Sequence, residues 1–129
     1  MFSHVMLGSN DIDRSKRFYD ALLGSMGAGP GVIDSRGRLV YAHAGGRLLV
    51  TKPINGEPAT SANGSTIGFE MAGPEEAEAW HKAGLAAGGQ AIEDAPGERR
   101  TPVGRLYLAY LRDPDGNKLC ALHRVAAKG

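Results

Sequence analysis

The chain has 129 residues, of which 42% are hydrophobic and 22% charged, with one cysteine and a formal net charge of +1. These values are typical of a globular domain, and the balanced charge creates no field that would attract nucleic acid or an anionic membrane. The single cysteine excludes an internal disulfide, and no apolar run approaches the roughly 18 residues that a membrane span needs. We therefore expect a cytoplasmic protein that binds neither nucleic acid nor membrane.

The first half of the chain predicts a strand, a helix and three further strands. Residues 2–8 are short and apolar, and the polar residues 10–13 that follow are typical of a helix start. Apolar residues at helical spacing then run to Leu23, where Gly24 can end the helix. Apolar stretches separated by two tight turns predict strands over residues 32–34, 39–42 and 48–52.

The second half repeats this order after a linker. Residues 53–64 hold prolines, glycines and asparagines without apolar periodicity, which indicates the linker. A strand is predicted over residues 66–71, and Gly73-Pro74 begins a helix that runs to about Ala87. Three more strands are predicted over residues 91–93, 106–111 and 118–124, with Arg99-Arg100 in a loop and a tight turn at residues 113–117.

The repeated order predicts the fold. Each half, residues 1–52 and 65–125, would expose one sheet face alone, and pairing the two halves buries it. We therefore predict an α+β fold in which two βαβββ modules form curved mixed sheets around a cleft. One domain would span residues 1–129.

Two terminal motifs resemble those of the vicinal oxygen chelate superfamily, which includes glyoxalases, bleomycin-resistance proteins and extradiol dioxygenases. His4 stands in Phe-Ser-His-Val-Met-Leu, and residues 10–19 read Asn-Asp-Ile-Asp-Arg-Ser-Lys-Arg-Phe-Tyr. Residues 111–117 read Leu-Arg-Asp-Pro-Asp-Gly-Asn, and residues 66–69, Thr-Ile-Gly-Phe, resemble the start of the second module. The resemblance covers almost the whole chain and implies a paired βαβββ fold, usually homodimeric.

The resemblance also implies a divalent metal, held by His and Glu side chains and acting on the substrate as a Lewis acid. His4 falls on the family's first histidine position, and Met6 shares its face of the strand. Thr66 and Cys120 stand where the family has its second histidine and its closing glutamate. Glyoxalase I members add an acidic residue on the fourth strand, and residues 48–50 of this chain contain none. We therefore expect no complete metal site, with His4 as the one candidate ligand.

Three functions remain open. The first is a metal-independent module that holds a small organic molecule in the cleft, for which the candidate lining residues are His4, Met6, Thr66, Gly68, Glu70, Tyr107 and Cys120. The second is an enzyme, either a lactoylglutathione-lyase-like lyase or a dioxygenase with a degenerate ligand set. A thiol beside a base, Cys120 with His4, would instead permit nucleophilic chemistry. The third is a structural protein that only builds a dimer. The remaining histidines are predicted to have surface or packing roles: His43, His81 and His123.

Overall fold

Two modules follow one another along residues 1–126, the part of the chain that this computed structural model describes. The elements of the first are β1 (Val5–Gly8), α1 (Ile12–Gly24), β2 (Val32–Ile33), β3 (Leu39–His43) and β4 (Gly46–Thr51). Those of the second are β5 (Ile67–Glu70), α2 (Pro74–Ala86), β6 (Gln90–Ala91), β7 (Gly97–Thr101), β8 (Gly104–Arg112) and β9 (Lys118–Arg124). Neither α1 nor α2 has the length and apolar character of a helix that crosses a membrane.

Each module forms its own mixed sheet. The strand order is β1-β4-β3-β2 in the first sheet and β5-β9-β8-β6 in the second, where β7 also pairs with β8. β1 runs parallel to β4 and β5 runs parallel to β9, whereas the remaining neighbours are antiparallel. In both modules, therefore, the first strand lies at one edge of the sheet and pairs with the last. This arrangement confirms the predicted α+β fold with two mixed sheets.

The second module contains one strand more than the sequence predicts. β7 occupies the region around Arg99 and Arg100, where a loop was expected, and pairs with residues 104–108 of β8. Its sequence, Gly-Glu-Arg-Arg-Thr, lacks apolar alternation. An edge strand needs no such alternation, because its backbone hydrogen bonds hold it to the neighbouring strand. The other predicted elements are present, and their ends differ from the prediction by three residues at most.

One hydrophobic core lies under both helices. It contains Leu48 and Val50 of the first sheet together with Leu111 and Leu119 of the second. α1 and α2 also contact each other, and this approach needs glycine at position 84. A Cβ atom there would lie 2.9 Å from Cδ1 of Leu22 on α1 and 2.3 Å from Cδ1 of Leu111 on β8, closer than Cβ atoms pack against their neighbours. We call the opposite face of each sheet, which the helices leave uncovered, its outer face.

The turn between β8 and β9 is hydrogen-bonded to the first module. Asn117 Nδ2 donates to the carbonyl oxygen of Gly8 at 3.0 Å, and the hydroxyl of Tyr19 donates to Oδ2 of Asp113 at 2.5 Å. Burial, and then the adjacent Asp113 carboxylate, raise the pKa of Tyr19 well above its ordinary value. The phenol therefore stays protonated and acts as the donor.

Asp115 extends this connection to the start of α1. Its Oδ1 accepts hydrogen bonds from the backbone N–H of Asn10 at 2.9 Å and from Nη2 of Arg14 at 2.8 Å. Its Oδ2 accepts from the hydroxyl of Ser15 at 3.3 Å. The two terminal motifs on which the family resemblance rests therefore meet in space, and together they join the two modules.

Asp20 fixes the loop after α1 against β3. Its carboxylate accepts hydrogen bonds from the Gly31 backbone N–H at 2.8 Å, the Tyr41 hydroxyl at 2.7 Å and Lys16 Nζ at 2.5 Å. Burial alone would raise the pKa of Asp20, but these three hydrogen bonds outweigh it and lower the pKa below its ordinary value. The charged form of Asp20 therefore stabilises the folded state.

We expect Asp20→Asn to lower the free energy of unfolding by about 1–2 kcal/mol at pH 7. A carboxylate with a lowered pKa contributes fully above its unfolded pKa, near 4, and its contribution is lost as the pH falls through the folded pKa. The difference between wild type and variant should accordingly shrink at about pH 3. Urea unfolding at pH 7, 5 and 3 measures it, with Asp94→Asn at an exposed position as the control. A difference that stays constant with pH would contradict this role.

Candidate functional site

An apolar cavity of about 180 Å³ lies between the first sheet and β5, the edge strand of the second. Val5, Leu48 and Tyr41 form one wall, because they are register partners on three neighbouring strands and so lie on the same face. The end of α1 and the segment after it contribute Leu23 and Met26. Alternation along β1, β4 and β3 is thus what places these apolar side chains around one space.

The cavity opens into a wider groove of about 730 Å³ with a more polar lining. Met26, His43, Gly68 and Phe69 line both spaces, which shows that the two are continuous. We call the wider space the polar mouth, and the cavity and mouth together the inter-module groove. Its charged and imidazole groups include His43, Glu70, Glu76, His123 and Arg124.

Two of the polar groups at the mouth are held in place by backbone atoms. Nδ1 of His123 lies 3.1 Å from the carbonyl oxygen of Met71. A carbonyl oxygen can only accept, so Nδ1 carries a proton and donates it to this hydrogen bond. Oε1 of Glu76 accepts a hydrogen bond from the backbone N–H of Ala72 at 3.0 Å.

Tyr41 contributes its ring to the cavity wall, while its hydroxyl is engaged elsewhere. The hydroxyl donates to Oδ1 of Asp20 at 2.7 Å. Burial, and then the hydrogen bond to Asp20, raise the pKa of Tyr41 far above its ordinary value. The residue is therefore neutral and presents an apolar surface to the cavity.

The structure divides the sequence-predicted cleft residues between different faces. Gly68 and Cys120 are register partners on the outer face of the second sheet. Gly68 and Glu70 also line the inter-module groove, whereas Cys120, and Thr66 just before β5, lie outside its lining. The thiol is 6% exposed, and burial raises its pKa, so it stays protonated.

Tyr107 does not share that face. It lies on the helix-covered side of β8, three positions from Tyr110, which pairs with Cys120 on the outer face. The hydroxyl of Tyr107 donates to Oε1 of Glu78, on α2, at 2.6 Å. Tyr107 therefore anchors α2 to the sheet. The prediction that it lines a cleft together with Cys120 is wrong.

Met6 belongs to the first sheet and His4 immediately precedes it, and both lie outside the groove lining. His4 is exposed, precedes β1, and has Nδ1 2.8 Å from the hydroxyl of Ser3. Met6 is 40% exposed and pairs with Leu49 on the outer face. No hydrogen bond joins His4 to Cys120 in residues 1–126, and Cys120 is instead paired with the carbonyl oxygen of Ala121.

The residues at the family's metal-ligand positions do not fit a divalent cation. Thr66 offers a weakly donating hydroxyl, Cys120 a buried protonated thiol, and His4 an exposed imidazole just before β1. Among residues 1–126, no group of three or more His, Cys, Asp or Glu side chains is placed to hold a metal ion. The donor set therefore departs from the His and Glu ligands that the resemblance implies.

Sequence reasoning missed the histidines of the mouth. His43 lies two residues after Tyr41 in β3 and so shares its side of the strand. His123 has the opposite parity to Cys120, which places it toward α2 rather than on the outer face. The alternation along each strand could be predicted from the sequence. That the ends of β3 and β9 border the same groove could not.

A model of the Glyoxalase/Bleomycin resistance protein/Dioxygenase superfamily matches residues 1–121. The chain belongs to this superfamily. A crystal structure of a glyoxalase/bleomycin resistance protein from Albidiferax ferrireducens T118 is 59% identical, with a TM-score of 0.92 over 96% of this chain and 99% of that one. No curated protein matches the chain.

More distant solved structures share the fold. A glyoxalase-related enzyme from Fulvimarina pelagi is 23% identical, with a TM-score of 0.70 over 100% of this chain and 95% of that one. Lactoylglutathione lyase from Agrobacterium tumefaciens is 22% identical, with a TM-score of 0.66 over 95% and 92%. At these identities the likeness extends to architecture, and the chemistry has to be argued from the groove itself.

Proposed function

We propose that this superfamily member binds a small organic molecule in the inter-module groove. The observation that carries the proposal is an apolar cavity that opens into a mouth with charged and imidazole side chains. Ligand sites in proteins are commonly concave and apolar, with a few polar groups that orient the ligand. An engineered apolar cavity of about 150 Å³ accommodates benzene. A cavity of about 180 Å³ therefore suits one aromatic ring or a short branched aliphatic chain.

We propose further that this binding does not depend on a metal ion. The cavity wall is made of hydrocarbon and aromatic side chains such as Val5, Leu23 and Leu48, which stabilise a ligand by removing apolar surface from water. Thr66 and Cys120 replace the family's histidine and glutamate, so the usual chelation of two substrate oxygens lacks its ligand set.

We expect a screen of neutral aromatic and aliphatic compounds by ligand-observed NMR to yield ligands whose binding is lost in Val5→Phe. The larger ring would occupy the cavity that Val5 now borders. Met6→Phe places the same ring on the opposite face of β1 and should leave binding unchanged, as should EDTA. Far-UV circular dichroism checks that both variants fold.

The same screen can overturn the proposal. Loss of binding in Met6→Phe but not in Val5→Phe would move the site to the outer face of the first sheet. If EDTA abolished ligand binding and a divalent cation restored it, binding would depend on a metal ion. If no compound in the screen loses binding in Val5→Phe, the groove is not a binding site.

A further inference from the structure

We infer that a polar recess beside the second sheet binds a phosphate group, either as the free ion or as the monoester of a small molecule. The recess has a volume of about 160 Å³ and shares no lining residue with the inter-module groove. We call it the linker recess. Its lining comes from the linker and from two strands, and consists of Ser61, Asn63, Gly64, Ser65, Thr66, Arg112 and Lys118.

The two cationic residues of the linker recess lie side by side on the outer face of the second sheet. Arg112, at the end of β8, and Lys118, at the start of β9, are register partners. Thr66 directly precedes Ile67, which is the register partner of Leu119, so Thr66 lies next to Lys118 on the same face. Side chains from three neighbouring segments therefore form the floor of the recess.

The linker forms the wall of the recess and is held by hydrogen bonds and by the turn between β8 and β9. The backbone N–H of Ser65 donates to the carbonyl oxygen of Ala62 at 3.0 Å, and its hydroxyl donates to the carbonyl oxygen of Ser61 at 3.4 Å. Cβ of Ser61 lies 3.5 Å from the position that a Cβ atom on Gly116 would occupy, so the linker contacts the turn. These contacts fix the wall beside the ends of β8 and β9.

The lining supplies hydrogen-bond donors that the described chain leaves unused. Nη1 of Arg112 donates to the carbonyl oxygen of Gly116 at 2.7 Å, which orients the guanidinium, and its Nε and Nη2 have no partner within residues 1–126. The hydroxyls of Ser61 and Thr66 have no hydrogen-bond partner in that part of the chain either. A guanidinium edge can donate to two oxygens of one anion. A tetrahedral phosphate has further oxygens for the hydroxyls, whereas a planar carboxylate has none.

The charge of the lining favours an anion. Arg112 and Lys118 contribute two positive charges, and none of the described residues of the lining is acidic. Glu93 forms an ion pair with Lys118 from outside the lining and so offsets one of these charges. Asp113, the residue after Arg112, is 4% exposed, and its carboxylate is engaged in the buried hydrogen bonds that join the modules. The Arg112 guanidinium is therefore the main anion-binding group.

Titration of ¹⁵N-labelled protein with inorganic phosphate, phenyl phosphate and acetate, at constant ionic strength, tests the inference. We expect both phosphates to shift the backbone amide NMR signals of Gly64, Ser65, Thr66 and Gly116. Acetate should bind at least about fivefold more weakly, because it has only two oxygens. Comparison of the two phosphates distinguishes a site for the free ion from a site for an ester.

Four variants locate the interaction. We expect Arg112→Gln to weaken the binding of inorganic phosphate at least about tenfold, and Thr66→Val to weaken it about threefold. Glu93→Gln should strengthen binding about two- to fivefold, because it leaves the charge of Lys118 without its carboxylate partner. Arg124→Gln is the matched control: it removes the same charge from an exposed position at the far end of β9 and should leave phosphate binding unchanged.

Three results would overturn the inference. They are amide shifts that do not centre on the linker recess, acetate that binds as tightly as phosphate, and an Arg124→Gln protein that loses as much affinity as Arg112→Gln. If circular dichroism shows that Arg112→Gln does not fold, Thr66→Val and Glu93→Gln decide the question, and unchanged phosphate affinity in both excludes the site. Failure here leaves the proposed function intact, because the two sites share no lining residue.

Discussion

Asp113→Ala is expected to lower the free energy of unfolding by about 3–5 kcal/mol. Asp113 is 4% exposed, and its Oδ2 accepts hydrogen bonds from the Tyr19 hydroxyl at 2.5 Å and from Asn117 Nδ2 at 2.8 Å. Its Oδ1 accepts from the backbone N–H groups of Asp115 and Asn117, each at 2.9 Å. Removing the carboxylate leaves several buried donors without partners, and each such loss costs roughly 1–3 kcal/mol.

Urea unfolding followed by far-UV circular dichroism measures this effect. Asp94→Ala removes an exposed acid and should change stability by less than about 0.5 kcal/mol. Tyr19→Phe removes one of the hydrogen bonds to Asp113 and should cost about 1–2 kcal/mol. An Asp113→Ala protein whose stability is within about 1 kcal/mol of wild type would show that the turn does not hold the modules together.

Trp80→Ala is expected to lower the free energy of unfolding by about 3–5 kcal/mol, because it leaves a cavity in the core. Trp80 is 0% exposed and is the largest of the fully buried side chains. Its Nε1 has no hydrogen-bond partner in the described chain. Replacing it by phenylalanine therefore removes volume but breaks no polar contact, and we expect Trp80→Phe to cost only about 1–2 kcal/mol.

Thermal and urea unfolding by circular dichroism compare these two variants with Leu85→Ala, at a more exposed position of the same helix. The control should lie within about 1 kcal/mol of wild type. If Trp80→Phe were as destabilising as Trp80→Ala, the indole would contribute more than packing volume, which would contradict this account.

Elements whose apolar residues alternate or recur at helical spacing could be predicted from the sequence. α1 is an example, because it buries one face against the core and so carries a periodic pattern. β9 could instead be predicted as a short continuous apolar run, because residues 119–121 are buried on both faces of the strand. β7 could not be predicted in this way, since backbone pairing with β8 holds it in place. The superfamily could be predicted as well, because its terminal motifs are short and specific.

The candidate site was less predictable, since alternation shows which residues share a face but not which faces meet. On β1 it separates Met6 from Val5 without showing that Val5 borders the groove. Gly68 and Glu70 were predicted and line the groove, whereas Arg124 enters only through the long-range packing of the modules. The homodimer, the small-molecule ligand and the cytoplasmic location stay predictions.

The hydrogen bonds between the terminal motifs have a consequence for synthesis on the ribosome. Tyr19 and Asp113 are 94 residues apart in the chain, and Gly8 and Asn117 are 109 apart. The first module therefore emerges long before its polar partners exist, and closing so long a loop carries an entropic cost that must be met before these contacts form. Until then the Tyr19 hydroxyl stays hydrated, so the nascent first module cannot reach its final packing. Completion of the native state is thus tied to translation of the last β-turn.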